Sequence, residues 1–156
     1  MKILVIHGPN LQQLGFREPS LYGLETLEEL HQRIREEAVR LGVTVEFFQS
    51  HVEGELVRAI ASAAGRVDGI LINPAAYTHT SVALRDALQS VAMPCVEVHL
   101  SNVAAREEFR RPGLTTGACV GQVSGFGGDS YLLGLRGLAD ILRRRSGEAG
   151  KKGAEG

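Results

Sequence analysis

Five short apolar runs recur along this 156-residue chain, and they constrain its fold more than any other feature. They are mostly β-branched, which is typical of strands that are buried on both faces. Patterns with the period of a helix separate them. We predict strands at 3–6, 43–48, 69–72, 95–100 and 118–123, helices at 27–41, 55–64, 81–91 and 131–145, and a short turn at 104–109.

Strands and helices alternate with short connections, and this order predicts a parallel sheet with right-handed crossovers and helices on both faces. The fold class is therefore α/β, and we expect a flavodoxin-like three-layer sandwich whose five-stranded sheet has the order 2-1-3-4-5. The length and the 44% apolar content fit one domain, which we place at 1–145. Residues 146–156 are almost devoid of apolar side chains and are predicted to be a disordered tail.

The ends of the helical patterns carry signals that agree with this division. Thr26 and Glu29 have the spacing of a capping box at the start of the first helix. Gly42 can end that helix in a left-handed conformation, and Thr80 or Ser81 can cap the third helix.

Charge and composition exclude several kinds of partner. Lys and Arg total 17 against 18 Asp and Glu, so no charge field attracts nucleic acid or an anionic membrane. The apolar runs are far shorter than the roughly 20 residues that cross a bilayer, and the start of the chain lacks a signal-peptide profile, so we expect a cytoplasmic protein. Cys95 and Cys119 fall in predicted interior strands and are interpreted as buried apolar residues rather than disulfide or zinc ligands.

Polar residues gather at the predicted carboxyl ends of three strands. In an open parallel sheet, ligands bind at these ends, near the point where the strand order reverses. The segment 10–23 is longer than the usual βα connection and adds Arg17 and Tyr22 if it folds over the crevice. The side chains expected to line one crevice are Asn73, His79, Glu97, His99, Ser101 and Asn102.

Glu97, His99 and Ser101 share one face of the fourth strand, opposite three apolar residues. We interpret Glu97 as holding one imidazole nitrogen of His99, which leaves the other nitrogen to exchange a proton with a ligand. Two alternatives remain at this point. The sheet bulges here and the three side chains are solvated, or His99 is a hydrogen-bonded core histidine.

Tyr22 is a candidate base only if a cation stabilises its phenolate. Arg17, five residues earlier, can supply that cation, and so can Arg106. The alternative is that Tyr22 is an amphipathic surface residue, as loop tyrosines usually are.

Several chemistries are excluded or disfavoured, and we expect neither a metal nor an organic cofactor. The lysines stand only at the two ends of the chain, which excludes a Schiff base in a desolvated pocket. No glycine-rich phosphate loop follows the first strand. His7, His79 and His99 lack a diagnostic metal-binding spacing and a carboxylate cluster.

Four motifs stand in a recognisable order along the chain. They are GPNL followed by LG, REP and YG at 8–23, NPAAYTHTS at 73–81, EVHLSN at 97–102 and REEFR at 106–110. With these motifs, residues 1–143 resemble the type II 3-dehydroquinate dehydratases of the shikimate pathway. The resemblance implies a cofactor-free hydro-lyase that removes water from 3-dehydroquinate in the anti sense, giving 3-dehydroshikimate through an enolate. It also implies self-association into trimers and a dodecamer.

The resemblance also implies roles for individual residues. Tyr22 removes the C2 proton, Arg17 keeps Tyr22 ionised, and Asn10 helps to hold the enolate through a bound water. His99, oriented by Glu97, protonates the departing hydroxyl. The substrate-binding positions are the backbone at Leu100 and Ser101 for the carboxylate, Asn73, His79 and Arg110 for ring hydroxyls, and Asp86 from a neighbouring subunit.

The chain departs from the family pattern at three places. Many relatives have Asn where Gln12 stands and Gly where Ala75 stands, and a His-Ser pair is commoner than Pro112-Gly113. These departures concern loop geometry, since every acid-base residue of the pattern is present.

Two other functions remain as alternatives. The fold alone allows a flavodoxin-like ligand-binding or signalling module without catalysis. A signalling receiver should carry acidic residues after strand 1 and an aspartate after strand 3, where this chain has His7 and Asn73, and a flavin would colour the protein yellow. The third alternative is a structural subunit whose main role is assembly.

Overall fold

Five parallel strands form one sheet in the computed structural model, which describes residues 1–16, 24–110 and 113–152, the last five by their backbone alone. The strands are β1 (Lys2–His7), β2 (Thr44–Gln49), β3 (Gly69–Asn73), β4 (Cys95–His99) and β5 (Gly121–Ser124). Their spatial order is β2-β1-β3-β4-β5, so the predicted topology is confirmed.

Helices cover both faces of this sheet. They are α1 (Leu27–Arg40), α2 (Glu53–Ala61), α3 (Val82–Ser90) and α4 (Asp129–Lys152). Buried residues of α1 and α4 form one apolar core with one face of the sheet, and those of α2 and α3 form a second core with the other face. The predicted three layers are therefore present. The turn predicted at 104–109 consists of two short 3-10 turns, Val103–Ala105 and Glu108–Arg110.

The predicted capping signals of α1 and α3 are confirmed. Both hydrogen bonds of the capping box are present, since Glu29 N–H donates to Thr26 Oγ1 at 3.2 Å and Thr26 N–H donates to Glu29 Oε2 at 2.8 Å. Gly42 has a φ of 63°, which a left-handed helix end requires. Ser81 rather than Thr80 caps α3, because its Oγ accepts from Leu84 N–H at 2.9 Å.

One cysteine differs from its predicted setting. Cys95 is buried in β4, as predicted, but the expectation that Cys119 lies inside an interior strand is wrong. Cys119 follows the 3-10 turn Thr116–Ala118 and precedes β5, which begins three residues later than predicted and is an edge strand. The turn satisfies the backbone there through a hydrogen bond from Cys119 N–H to the Thr116 carbonyl, 3.0 Å long.

Helix α4 continues beyond Arg145, where the sequence predicts its end, and reaches Lys152. Part of the predicted tail is therefore helical, while residues 153–156 lie outside the described residues. The division into a domain and a tail stays a prediction. None of the described helices combines the length and the apolar character that crossing a membrane requires.

Helix α4 lies very close to the sheet at Gly134. A Cβ atom at this position would stand 2.6 Å from Val98 Cγ1 and 2.9 Å from Leu71 Cδ1. Gly137, one turn further along the same helix, is exposed, and a Cβ atom there would meet nothing within 4 Å apart from its chain neighbours and the backbone of its own helix. The two glycines therefore form a matched pair, because they share one helix and differ in their distance from the sheet.

We expect Gly134→Ala to lower the free energy of unfolding by about 1 to 3 kcal/mol, since it overpacks the core. Gly137→Ala should raise it by up to about 1 kcal/mol, since alanine favours the helix without meeting a neighbour. Urea denaturation of both variants measures the difference. Equal effects of the two changes would contradict the close approach of α4 to the sheet.

Candidate active site

Side chains alternate along β4, and this alternation decides where its polar residues point. Val96 and Val98 belong to the core beneath α1 and α4, whereas Cys95 belongs to the core beneath α2 and α3. Glu97 and His99 therefore project toward the α2 and α3 side. Glu97 has no exposed surface and His99 is 6% exposed. The alternative in which this face is solvated is wrong for both residues.

The contact that the sequence predicts between Glu97 and His99 is present. His99 Nε2 lies 2.7 Å from Glu97 Oε1, within hydrogen-bonding and ion-pairing distance. An imidazole has two ring nitrogens, so Nδ1 is the one left to exchange a proton with a ligand. The pair thus has the geometry of an acid-base group and the carboxylate that orients it.

Three threonine hydroxyls surround the Glu97 carboxylate. Thr78 and Thr116 lie 2.9 Å and 2.8 Å from Oε1, and Thr115 lies 2.6 Å from Oε2. Burial raises the pKa of Glu97, but hydrogen bonds from His99, Thr115 and Thr116, together with the charge of His99, outweigh burial and hold this pKa below its usual value. Glu97 is therefore kept ionised and fixed in orientation beneath His99.

A cavity opens at the carboxyl ends of β1, β3 and β4. It brings together most of the predicted site residues, namely Asn10, Asn73, His79, His99, Leu100, Ser101 and Arg110. Arg106 also lines it, with an apolar wall formed by Pro9, Leu11, Leu14, Ala75, Ala76 and Val103. The residues converge because parallel neighbouring strands end at the same edge of the sheet.

The other predicted site residues do not line the cavity or lie outside the described residues. Glu97 stands behind His99, and Asn102 begins the 3-10 turn that follows β4. Asp86 is on the exposed surface of α3. Arg17 and Tyr22 belong to the segment that the structure does not describe.

One wall of the cavity carries positive charge. Arg106 Nε and Arg110 Nε lie 3.6 Å and 3.0 Å from the same carboxylate oxygen of Glu107. The Arg110 guanidinium also lies over the Phe109 ring, 5.0 Å from its centroid. These contacts orient two guanidinium groups beside the cavity, where they suit an anionic or polyhydroxylated ligand.

The loops after β1 and β3 are locked together by their backbones. Gly8 N–H donates to the Asn73 carbonyl at 2.8 Å, and a Cβ atom on Gly8 would stand 2.6 Å from the Pro74 carbonyl oxygen. Further along the same two loops, Asn10 and Ala75 have φ values of 68° and 51°. Non-glycine residues with positive φ are uncommon and concentrate at functional sites. Both line the cavity.

Comparison with known proteins identifies the family. The chain matches the model of the class II dehydroquinases over residues 1–139. It belongs to that family. It is 54% identical to 3-dehydroquinate dehydratase of Geotalea daltonii over 144 residues, 92% of this chain and all of that protein. The 3-dehydroquinate dehydratase of Carboxydothermus hydrogenoformans is also 54% identical, over 97% of this chain and 99% of its own.

Solved structures of the class II dehydroquinase family agree with this assignment. The crystal structure of a type II dehydroquinase from Butyrivibrio crossotus superposes with a TM-score of 0.86 at 46% sequence identity, covering 92% of this chain and 97% of that one. The resemblance noted in the sequence and the predicted flavodoxin-like fold are therefore confirmed.

Sequence reasoning missed the three threonines that hold Glu97. Thr78 lies inside the NPAAYTHTS motif, so its position in that motif was an available signal. No signal in the sequence indicated Thr115 and Thr116, because a threonine pair in a loop is common and Glu97 is 18 and 19 residues away from them. Their role depends on how the loop before β5 folds against β4.

The departures from the family pattern have visible consequences in the structure. The Gln12 side-chain amide lies 2.7 Å from His51 Nε2, and His51 Nδ1 accepts from Asn10 N–H at 3.4 Å, so Gln12 helps to support the backbone of Asn10. A Cβ atom on Gly113 would stand 2.5 Å from Thr116 Oγ1. Glycine at this position therefore leaves room for Thr116 to reach Glu97.

Among the described side chains, no group of three or more His, Cys, Asp or Glu residues is arranged to hold a metal ion.

We expect Glu97→Gln to lower the free energy of unfolding at neutral pH by about 1 to 3 kcal/mol, since it weakens a buried hydrogen-bond network. The pKa of Glu97 is lower in the folded protein than in the unfolded chain, so its contribution is present above the unfolded value and is lost as the pH falls through the folded value. The difference between parent and variant should therefore shrink in acid, below about pH 4.

Urea denaturation at several pH values measures this difference. The matched control is Glu36→Gln, which changes an exposed carboxylate on α1. A Glu97→Gln effect that is equally large at pH 3 and pH 7 would contradict an ionised Glu97.

Proposed function

We propose that this chain is a 3-dehydroquinate dehydratase, which removes water from 3-dehydroquinate to give 3-dehydroshikimate. The observation that carries the proposal is the buried Glu97–His99 pair, placed at the cavity of a class II dehydroquinase chain. Relatives that match over nearly the whole chain bear the name 3-dehydroquinate dehydratase. The reaction needs an acid and a base but no redox group, so side chains suffice and no cofactor is required.

The cavity suits a small polyhydroxylated acid. The backbone of Leu100 and Ser101, just past the end of β4, is assigned to the substrate carboxylate, with the arginine-bearing wall nearby. Asn73, His79 and Arg110 are assigned to the ring hydroxyls, since each lines the cavity and can donate a hydrogen bond. The contacts remain assignments by motif position that the lining of the cavity supports.

The first step is removal of the proton at C2, next to the ketone. We assign Tyr22 as the base and Arg17 as the cation that keeps it ionised, both from their positions in the family motif. Negative charge then grows on the enolate oxygen, which needs donors already in place. Asn10 is assigned to this task through a bound water, since it lines the cavity.

The second step is loss of hydroxide, a poor leaving group that must be protonated as it departs. His99 supplies this proton as an imidazolium. With Nε2 held by Glu97, the proton leaves from Nδ1. The ionised, buried Glu97 stabilises the imidazolium before transfer and keeps the ring oriented afterwards.

We expect Tyr22→Phe and His99→Gln each to lower turnover by about 10² to 10⁴-fold, the range by which general acid-base groups accelerate reactions. The assay incubates chelator-treated protein with 3-dehydroquinate and follows the ultraviolet absorbance of the conjugated enone product. Tyr77→Phe is the matched tyrosine control, because its hydroxyl donates to the His51 carbonyl at 2.8 Å and the residue does not line the cavity.

Each outcome bears on a separate assignment. No product from the unmodified protein would overturn the proposed function. Near-parent turnover in Tyr22→Phe would remove Tyr22 as the base, and near-parent turnover in His99→Gln would remove His99 as the acid.

Assembly and location are proposed on sequence grounds. We assign self-association into trimers and a dodecamer, with Asp86 reaching a neighbouring subunit's site, and a cytoplasmic location. The exposed position of Asp86 on α3 supports such a contact. A flavodoxin-like binding or signalling module is disfavoured, because β1 and β3 end in His7 and Asn73 where a receiver needs acidic side chains.

A further inference from the structure

The loop 113–118, which precedes β5, is attached to the rest of the molecule at Leu114. The Leu114 N–H donates to the Thr78 carbonyl at 2.7 Å, and the Leu114 carbonyl accepts from Arg85 Nη1 at 2.8 Å. Thr78 lies in the 3-10 turn after β3, whereas Arg85 lies on α3. Both polar groups of the Leu114 backbone are therefore held, each by a different element of the fold.

The contact at Leu114 is passed on to Glu97 through the next two residues. The Leu114 carbonyl and the Thr115 N–H belong to one planar peptide unit, so holding the carbonyl fixes the direction in which the chain enters Thr115. Thr115 has no exposed surface and donates to Glu97 Oε2 at 2.6 Å. Thr116 donates to Glu97 Oε1 at 2.8 Å. A single contact from Arg85 therefore helps to place two of the hydroxyl donors of Glu97.

Arg85 fits closely against this loop. A Cβ atom on Gly117, within the 3-10 turn Thr116–Ala118, would stand 2.9 Å from Arg85 Nη1. The guanidinium group thus lies where a side chain on Gly117 would have to begin. Its donors form a rigid planar fork, which suits it to hold a backbone carbonyl in one orientation. The reaction assigned above gives Arg85 no role.

We propose that Arg85 is a positioning residue for the acid step, which holds the loop 113–118 against Glu97 and thereby keeps His99 aligned for proton transfer. This rests on the proposed function, because it takes His99 as the acid. Neither Arg85 nor any residue of the loop lines the cavity, so loss of the contact leaves the substrate-binding side chains in place. The effect should therefore fall on kcat rather than on KM.

Steady-state kinetics with 3-dehydroquinate tests this division. Arg85→Met keeps a long unbranched side chain but has no donor, so kcat should fall about tenfold, as loss of one hydrogen bond from a charged group predicts, with KM changed less than about threefold. Arg85→Lys keeps the charge and a donor, and its kcat should lie between those of the parent and Arg85→Met. Arg58→Met is the matched control, because Arg58 is exposed on α2, and it should keep the parent kinetics.

A glycine pair tests the position of the guanidinium without removing it. Gly117→Ala places a methyl group against Arg85 Nη1, so the guanidinium must move and kcat should fall. In an Arg85→Met background the same change should have little further effect, because the group that it displaces is gone. Gly121→Ala is the control, since Gly121 is exposed in β5 and a Cβ atom there would meet nothing within 4 Å apart from its chain neighbours.

A double variant shows whether Arg85 acts through the threonine hydroxyls. Thr115→Val removes one hydroxyl that holds Glu97. If Arg85 acts by placing this hydroxyl, adding Arg85→Met to Thr115→Val should lower kcat by less than about threefold more. Two unconnected structural effects would instead multiply to the full tenfold further loss.

Carbon-13 NMR of the side-chain carboxylates gives a readout without substrate. Hydrogen bonds from the loop help to hold the pKa of Glu97 below its usual value, so Arg85→Met should raise this pKa and Arg58→Met should not. The titratable groups facing Glu97 are His99 from β4 and Cys119 after the loop. Burial raises the pKa of Cys119, so its thiol keeps its proton throughout the titration.

Parent-like kcat in Arg85→Met would overturn the inference, as would an equal loss of kcat in Arg58→Met. A full tenfold further loss in the Thr115→Val background, or an unchanged titration of Glu97 in Arg85→Met, would overturn it too. Failure of the proposed function is distinct, because it appears as absence of product from the unmodified protein.

Discussion

The burial of one carboxylate organises the chemistry of this site. Glu97 has no exposed surface, yet the pKa of its side chain is held below the usual value by His99 and by threonine hydroxyls. An isolated buried anion would be very unfavourable, so these donors are a condition of the fold as well as of the reaction. Any change that moves the loop before β5 therefore reaches His99, because Thr115 and Thr116 both lie on that loop.

The central strands carry different hydrogen-bonded groups on their two faces. Glu97 and its threonines lie on the α2 and α3 side, whereas His7 and Tyr131 lie on the α1 and α4 side. The strands that carry these groups end at the same edge of the sheet, because β1, β3 and β4 are parallel neighbours.

The sequence predicted correctly those features that depend on strong patterns among residues close together in the chain. Strand order, layers and helix caps were predictable, because periodicity and capping depend on residues a few positions apart, as for Thr26 and Glu29. The end of α4 and the setting of Cys119 were not, because weak local signals left the last turns of α4 and the 3-10 turn before β5 undecided. The assignment of Tyr22 as the base is a proposal that depends on the family motif, since a loop residue has no periodic pattern to place it.

The sequence by itself determined that Glu97 and His99 share a strand face at the edge where ligands bind, because residues two apart on a strand point the same way. Only the tertiary structure decided which side chains hold Glu97 in place and which polar side chains meet on the other face of the sheet. Tyr131 is 124 residues from His7, and nothing in the spacing of either one indicates the other. Such contacts arise from how helices pack on the sheet, which depends on the shape of whole faces and not on any local pattern of residues.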